Sequence, residues 1–569
     1  MRHSWKPLRA AAGIALLAAS GAASAQDRAP TQLWHGGTIV TMDGNTPQTV
    51  EAVVESGGKI LFAGPAAEAR RAAGAGAIDH DLHGATMLPG FIDAHSHFAM
   101  AVQMAGGIDL SDPALGPITD IPSMLAALKA QVAARHVPEG EWVIVWQYDD
   151  ERLAEHRHVT RAEIDAALPG HKVVLLHFTM HGMVLNSAAL DAVGITEQTP
   201  VPAGGIMTRG ADGRLTGLLF EKAMYLAAMK LPQPSAAQKL AALDAAQARY
   251  AREGFTHAQD GANQPADLDF FTSAAAKDHM MLDLALLPFW SQIDALAARS
   301  DIQFGTYDRH VKLQGVKFVL DGSPQARTAF FTRDYALGAP DGSHPWHGQP
   351  VQSEADFAAL AAKAHAKGWQ LFVHANGDAT IDMAIREFDA LGIKAADDRR
   401  PVVIHSQFQR ADQLPAYARI GVGPAYFSNH AYYFADIHRR NFPAEVVDFI
   451  SPFNAARAAG LTVSNHSDFP VTPLSTMTML WSSMARTSLS GVVSGADQRL
   501  SAYAALQALT TGPAWQVFEE NRKGRIHAGL LADFVVLDRN PLDTPTDQIR
   551  AIRVLETVKE GRTIWRRQP

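Results

Sequence analysis

The stretch "WQLFVHANGDATIDMAIREFDALGIKAADDRRPVVIHSQF", residues 369–408, holds two short apolar runs that each close on a histidine, His374 and His405. Between them, Ile381, Ala384, Ile385 and Phe388 recur at helical spacing, the mark of an amphipathic helix. The order is strand, helix, strand. Upstream, "VKFVLDG" (316–322) and "ADFAALAAKAHAKG" (355–368) repeat it. A sustained β-then-α rhythm predicts a parallel sheet covered by helices. Over several hundred residues, a (β/α)8 barrel of the TIM type is the expected α/β fold. A doubly wound open sheet is the alternative, but no glycine-rich phosphate loop follows an early strand.

Both chain ends read differently. "LWHGGTIVTM" (33–42), "TVEAVVESGGKILFAG" (49–64) and "AIDHDLHGATMLPG" (77–90) are short alternating stretches separated by turn residues. "GRIHAGLLADFVVLD" (524–538) and "IRVLETVKEGRTIWR" (552–566) behave likewise. The expected organisation is therefore a small β-sandwich built from 26–89 and 516–569, around a barrel spanning 90–515. From about 112 to 245 the rhythm breaks. "EWVIVWQYDDERL" (141–153), "HKVVLLHFTMHGMVLNSAAL" (171–190) and "GRLTGLLFEKAM" (213–224) predict an insertion lying over the barrel mouth.

The chain has 569 residues, 47% hydrophobic and 19% charged, with a formal net charge of −8. That balance is ordinary for a well-buried globular protein and lacks the basic face that nucleic-acid binding requires. Residues 1–25 carry Arg2, Lys6 and Arg9, an apolar run over 10–19, and Ala23-Ser24-Ala25. This reads as a secretory signal peptide, so export is expected, to the periplasm in a Gram-negative host. The run is too short for a membrane anchor, since a span needs about 20 residues. The chain has no cysteine, which suits an oxidising compartment. A metal site would have to use histidine, carboxylate or a modified lysine.

Such a set is visible. His95 and His97 follow the apolar "GFI" (90–92), and on a strand residues i and i+2, with Asp93, share a face. Two imidazoles at that spacing can converge on one ion at about 2.0–2.1 Å. Lys317 sits inside an apolar strand, where a charged ammonium is costly. Neutral, it can take up CO2 as a carbamate whose oxygens bridge two metals; pairing with Asp321 is the alternative. His374, His405 and the pair His466/Asp468 each close an apolar run. In a parallel barrel such strand ends gather at one mouth. Together they predict a hydrolytic metal site. For the substrate, Trp146, Tyr148 and His181 in the insertion and Arg327 in "QARTAFF" are candidates to line a pocket or meet a carboxylate. Packing in the core, or a surface ion pair for Arg327, is the other reading of each.

"LPGFIDAHSHF" (88–98), the Lys317 strand, "HANGD" (374–378), "IHSQ" (404–407) and "SNHSDFPV" (464–471) resemble the amidohydrolase superfamily. "RLSAYAALQALTTGPAW" (499–515) and "GRIHAGLLADFVVLDRNPL" (524–542) look like its barrel end and returning β segment. "DGSPQARTAFF" (321–331), "HGMVLNS" (181–187) and "GRLTGLLFE" (213–221) look like its YtcJ-like branch, which includes N-substituted formamide deformylases. The resemblance implies one or two divalent ions, zinc foremost. His95 and His97 would hold the more buried ion, carboxylated Lys317 would bridge, and His374 and His405 would hold the second. Asp468 would bind metal and accept the proton of the attacking water. Where the family usually has Gly-Ser-Asp, this chain has Asn465-His466-Ser467-Asp468. His466 is thus an added proton carrier or a donor to a ligand, or a residue bonded to backbone. The implied reaction is hydrolysis of a C–N bond in an N-acyl or N-formyl amine, or a related amide. A deaminase of an aminated ring and a catalytically inert binding protein are the alternatives. No G-x-S-x-G elbow for serine chemistry appears. The expected partner is a small amide-type molecule, with no nucleic acid and no stable membrane anchor; a homo-oligomer is compatible.

Overall fold

The computed structural model describes residues 30–568, apart from 113–114, 151, 179–181, 203–204 and 341–342. The signal-peptide reading and His181 therefore lie outside the described residues. Among these residues, no helix is long and apolar enough to cross a membrane.

Eight parallel strands follow one another through the chain: β1 (Phe91–Ile92), β2 (Phe255–Asn263), β3 (Asp283–Pro288), β4 (Gly315–Val319), β5 (Gln370–Ala375), β6 (Val402–His405), β7 (Gly423–Tyr426) and β8 (Ser464–Asn465). β1 pairs with β2 and β2 with β3. β3 pairs with Val311–Leu313, the short run before β4, and reaches β4 through a bridge between Phe289 and Lys317. β4 to β8 then pair in sequence order. The two ends of the run approach each other across one backbone segment, where Leu509 accepts from the Ile92 N–H and Ala508 from the Asn465 N–H. The rhythm of residues 316–408 is realised closely. The helix between β4 and β5 spans Glu354–Ala366, with the Ser353 side chain accepting from the Asp356 N–H. The helix after β5 spans Asp378–Ala390. The strand interiors and the inward faces of these helices share one apolar core that includes Val316, Phe318, Val373, Ile381, Phe388 and Val403.

The chain ends join in one hydrogen-bonded set of eight strands. The reason is Thr86–Pro89, which pairs in parallel with Gln32–Val40 on one side and antiparallel with Phe534–Leu537 on the other. It splices the two sets edge to edge. The segment between forms its own six-stranded sheet, which begins with Ile108–Asp109 and ends with Leu215–Glu221. That sheet starts before residue 112. The expected end at 245 falls inside the helix Ala236–Arg252, whose Leu243, Ala246 and Tyr250 pack in the barrel core. Periodicity alone could not separate that helix from the insertion.

Candidate metal centre

The H-x-H pair does not lie on a strand. β1 stops at Ile92, and His97 is the residue before the helix Phe98–Ala105. Convergence comes from bonds to other segments instead. The His97 N–H donates to the Phe469 carbonyl, and the Asp468 N–H to that of His95. Asp93 does not face the histidine rings. Its carboxylate accepts from the Ser467 N–H (3.0 Å) and hydroxyl (2.5 Å), tying this loop to the one after β8. Burial pushes the Asp93 carboxyl up to about 7, against those two hydrogen bonds.

The result is a compact set. His95 Nε2 and His97 Nε2 stand 3.6 and 3.5 Å from Asp468 Oδ1. His405, the last residue of β6, and His466 bring nitrogens to the same carboxylate, with all three ligand atoms within 4.8 Å of one another. His374, near the end of β5, places Nδ1 3.1 Å from His405 Nε2. Lys317, buried in β4, places Nζ 3.0 Å from His95 Nε2. The alternative pairing of Lys317 with Asp321 is not what the structure shows. Asp321 instead accepts from the N–H groups of Phe330, Asn376 and Gly377 and from the Thr380 hydroxyl.

Protonation follows from these contacts. His95 Nδ1 lies 3.0 Å from the Gln259 amide oxygen, an acceptor only. His95 therefore carries its proton on Nδ1 and turns the Nε2 lone pair toward Lys317 and Asp468. Burial lowers the Lys317 ammonium to about 7, with Asp468 and Asp260 opposing the shift. Burial likewise holds His95 and His405 well below the usual imidazole range, and His466 at about 3. For Asp468 burial works against the charge, but His405, His97 and His95 outweigh it and keep the carboxyl well below its ordinary value.

Several atoms at the centre have no partner among the described residues. His405 Nδ1, both nitrogens of His466 and Asp468 Oδ1 are buried without a hydrogen bond. Each such group costs about 1–3 kcal/mol. His466 is thus not the backbone-bonded residue that one reading expected; its ring stacks on Phe427 at 4.8 Å and its nitrogens are bare. His405, Ser406 and Asp468 also adopt left-handed backbone angles, with φ of 68°, 44° and 50°. Such conformations in non-glycine residues cluster where function demands them. The donor set of imidazole and carboxylate lone pairs fits a divalent ion of zinc type.

Two supporting residues were not singled out in the sequence. Gln259 sits in β2, and nothing in "FTHAQDGAN" marks it as the partner of His95. Gly261 is two residues on; a Cβ there would lie 1.9 Å from His95 Cε1, so only glycine leaves room for the ring. The expected substrate residues scatter. Tyr148 is packed in the core of the inserted sheet, its hydroxyl accepting from the Val159 N–H, so it offers a substrate no surface. Trp146 lines a cavity of about 820 Å³ beside Ala99, Trp142 and Phe270 that contains none of the metal-set residues. Arg327 donates to the Ala339 carbonyl (3.2 Å), bracing its own loop.

Residues 80–565 match the amidohydrolase family. The chain is 29% identical over 525 residues to an N-substituted formamide deformylase of Arthrobacter pascens, covering 90% of this chain and 94% of that protein. It is 27% identical over 556 residues to the amidohydrolase YtcJ of Bacillus subtilis (strain 168), covering 94% and 99%. In fold it is similar to a metal-dependent hydrolase from Pyrococcus horikoshii ot3, with a TM-score of 0.71, 21% identity, and 91% and 99% of the two chains covered. A family match over most of the chain, on a TIM-like α/β fold with histidines, a lysine and an aspartate drawn to one point, makes this protein a member of the amidohydrolase family.

Proposed function

We propose that this protein is an exported, metal-dependent hydrolase that cleaves the C–N bond of an N-acyl or N-formyl amine, or of a related amide, with an activated water. The observation that carries this reading is the convergence of bare buried lone pairs, on His405, His466 and Asp468, beside His95 and His97. His95, His97 and Asp468 would hold one ion. His374 and His405 would hold a second, with His466 within reach of it. Lys317, its ammonium lowered by burial to about 7, has a large neutral fraction at pH 7 that can react with CO2, forming an N–C bond and releasing a proton. The carbamate would add oxygen ligands to this set, with zinc the first candidate ion.

A divalent ion in such a site lowers the pKa of a water toward about 7 and polarises a carbonyl. The chain's own groups do the rest. Asp468, held ionised, accepts a proton from the attacking water and returns it to the departing nitrogen. Gln259 keeps the His95 proton on Nδ1. The relative named an N-substituted formamide deformylase supports a formyl or small acyl group. The leader-like residues 1–25 support export and a periplasmic location. In the layout we favour, 26–89 with 516–569 forms a composite β unit around a barrel of 90–515. The inserted sheet stands at the mouth, a reading supported by Gln147 Nε2 donating to the Pro470 carbonyl at 3.3 Å.

The test offers N-formyl, N-acetyl and longer N-acyl amines, plus aminated heterocycles, to the mature protein with and without chelator. Released amine and released ammonia are read separately. Chelator-sensitive amine from the acyl set is the expected result. Ammonia from the heterocycles alone would make the protein a deaminase. Silence with no bound metal would point to a binding protein.

A further inference from the structure

A second group of ligand-like side chains lies outside the barrel. Two neighbouring parallel strands of the inserted sheet, Trp142–Tyr148 and Lys172–His177, end side by side, with Tyr148 paired to His177. Asp149 and Asp150 follow the first strand directly, and His177 closes the second. One atom from each of Asp149, Asp150 and His177 lies within 4.8 Å of the others. A third segment adds His158. Its Nδ1 is 3.5 Å from Asp150 Oδ1, and His177 Nε2 is 2.9 Å from that same oxygen.

We propose that Asp149, Asp150, His158 and His177 form a separate divalent-metal site, for an ion of zinc type, that clips the end of the inserted sheet at the barrel mouth. Three observations lead there. The first is spacing. Around an ion bound at about 2.0–2.1 Å, neighbouring ligand atoms lie about 2.9–3.4 Å apart. The 2.9 Å contact of His177 lies in that range and the 3.5 Å contact of His158 just beyond it, as do the 3.6 and 3.5 Å separations at the barrel site. The second is lone-pair orientation. The Tyr148 hydroxyl accepts the Val159 N–H at 2.8 Å and meets His158 Nδ1 at 3.3 Å. When its own proton is directed to Nδ1, that nitrogen turns a lone pair toward Asp150 Oδ1. A cation between the two relieves that contact. The third is charge. Two adjacent carboxylates meet at this point beside two imidazoles.

Two imidazoles with two carboxylates suit a borderline transition ion, whereas calcium and magnesium favour all-oxygen sets. The site would join the strand end, the loop carrying His158 and the neighbouring strand end. It sits close to the barrel centre in the chain's own contacts, because Gln147 also bonds Pro470, two residues beyond Asp468. It uses none of the barrel ligands.

The experiment counts Zn2+ per mature chain by atomic emission after equilibrium dialysis, with Co2+ absorption as a second readout. His177→Gln and the isosteric Asp150→Asn are each expected to lose one equivalent relative to the parent. The His95→Ala/His97→Ala double variant is expected to bind one equivalent more than the same variant carrying His177→Gln. Circular dichroism verifies folding, and Asp150→Asn carries the test if His177→Gln fails to fold. Equal zinc counts in the parent and in folded Asp150→Asn, or in the barrel double variant with and without His177→Gln, would overturn the site. Because metal is counted rather than turnover, this outcome is independent of which bond the barrel centre cleaves.

Discussion

Gln259→Leu tests how the barrel centre is tuned. Gln259 accepts from His95 Nδ1 at 3.0 Å, and His95 is fully buried. Leucine removes that acceptor and leaves a buried N–H bare, at a cost of about 1–3 kcal/mol. The cost falls on the metal-binding tautomer, because moving the proton to Nε2 relieves it while blocking the ligating lone pair. At about 1.36 kcal/mol per decade, zinc affinity should drop roughly 5- to 150-fold, in line with the 10- to 100-fold typical when a ligand's hydrogen-bond partner is lost. The fold itself should change little. The Gln259 amide nitrogen is already buried without a partner, so leucine also removes one unsatisfied group. The assay is competition for Zn2+ against a chromophoric chelator, beside the melting temperature of metal-free protein. Gln259→Glu restores an acceptor and should bind zinc within a few-fold of the parent. Parental affinity in Gln259→Leu would refute the tautomer argument. An equal loss in both variants would show that only the shape of glutamine mattered.

Asp468→Asn should retain most of its metal yet lose about 10²- to 10⁴-fold in kcat, the range for a positioned acid–base group; near-parental turnover would place the base elsewhere. Gly261→Ala drives a Cβ against the His95 ring and should cost about 1–3 kcal/mol of stability, with lower zinc occupancy; metal analysis and thermal melts check both. Metal-free protein should show opposing pH trends. Lys317 is lowered from 10.5 to about 7, so above pH 7 the unfolded chain binds the extra proton and stability rises with pH until about 10.5, by a few kcal/mol in order of magnitude. Asp93 is raised from 3.8 to about 7, so between those values the folded chain binds the extra proton and stability falls as pH rises. Lys317→Met should abolish the alkaline rise alone, and chelated protein melted between pH 5 and 9.5 would reveal it.

The alternation of short apolar runs with amphipathic helices was enough to order the parallel strands, because both patterns are local and follow from side-chain periodicity. The residues of the metal set were legible for the same reason: each follows an apolar run, and strand ends share a mouth. Their grouping was not. His95 and His97 converge through loop bonds to Phe469 and Asp468, not through the two-residue repeat of a strand. Gln259 lies 164 positions from the histidine it orients, and Tyr148, aromatic and near a motif, is core. The helix Ala236–Arg252 carries the same kind of period whichever layer it packs against. Sequence by itself marked the candidate side chains and the order in which the strands arrive. Tertiary structure alone decided which lone pairs face one another and which are left bare, because proton placement depends on contacts a few ångströms long between segments hundreds of residues apart.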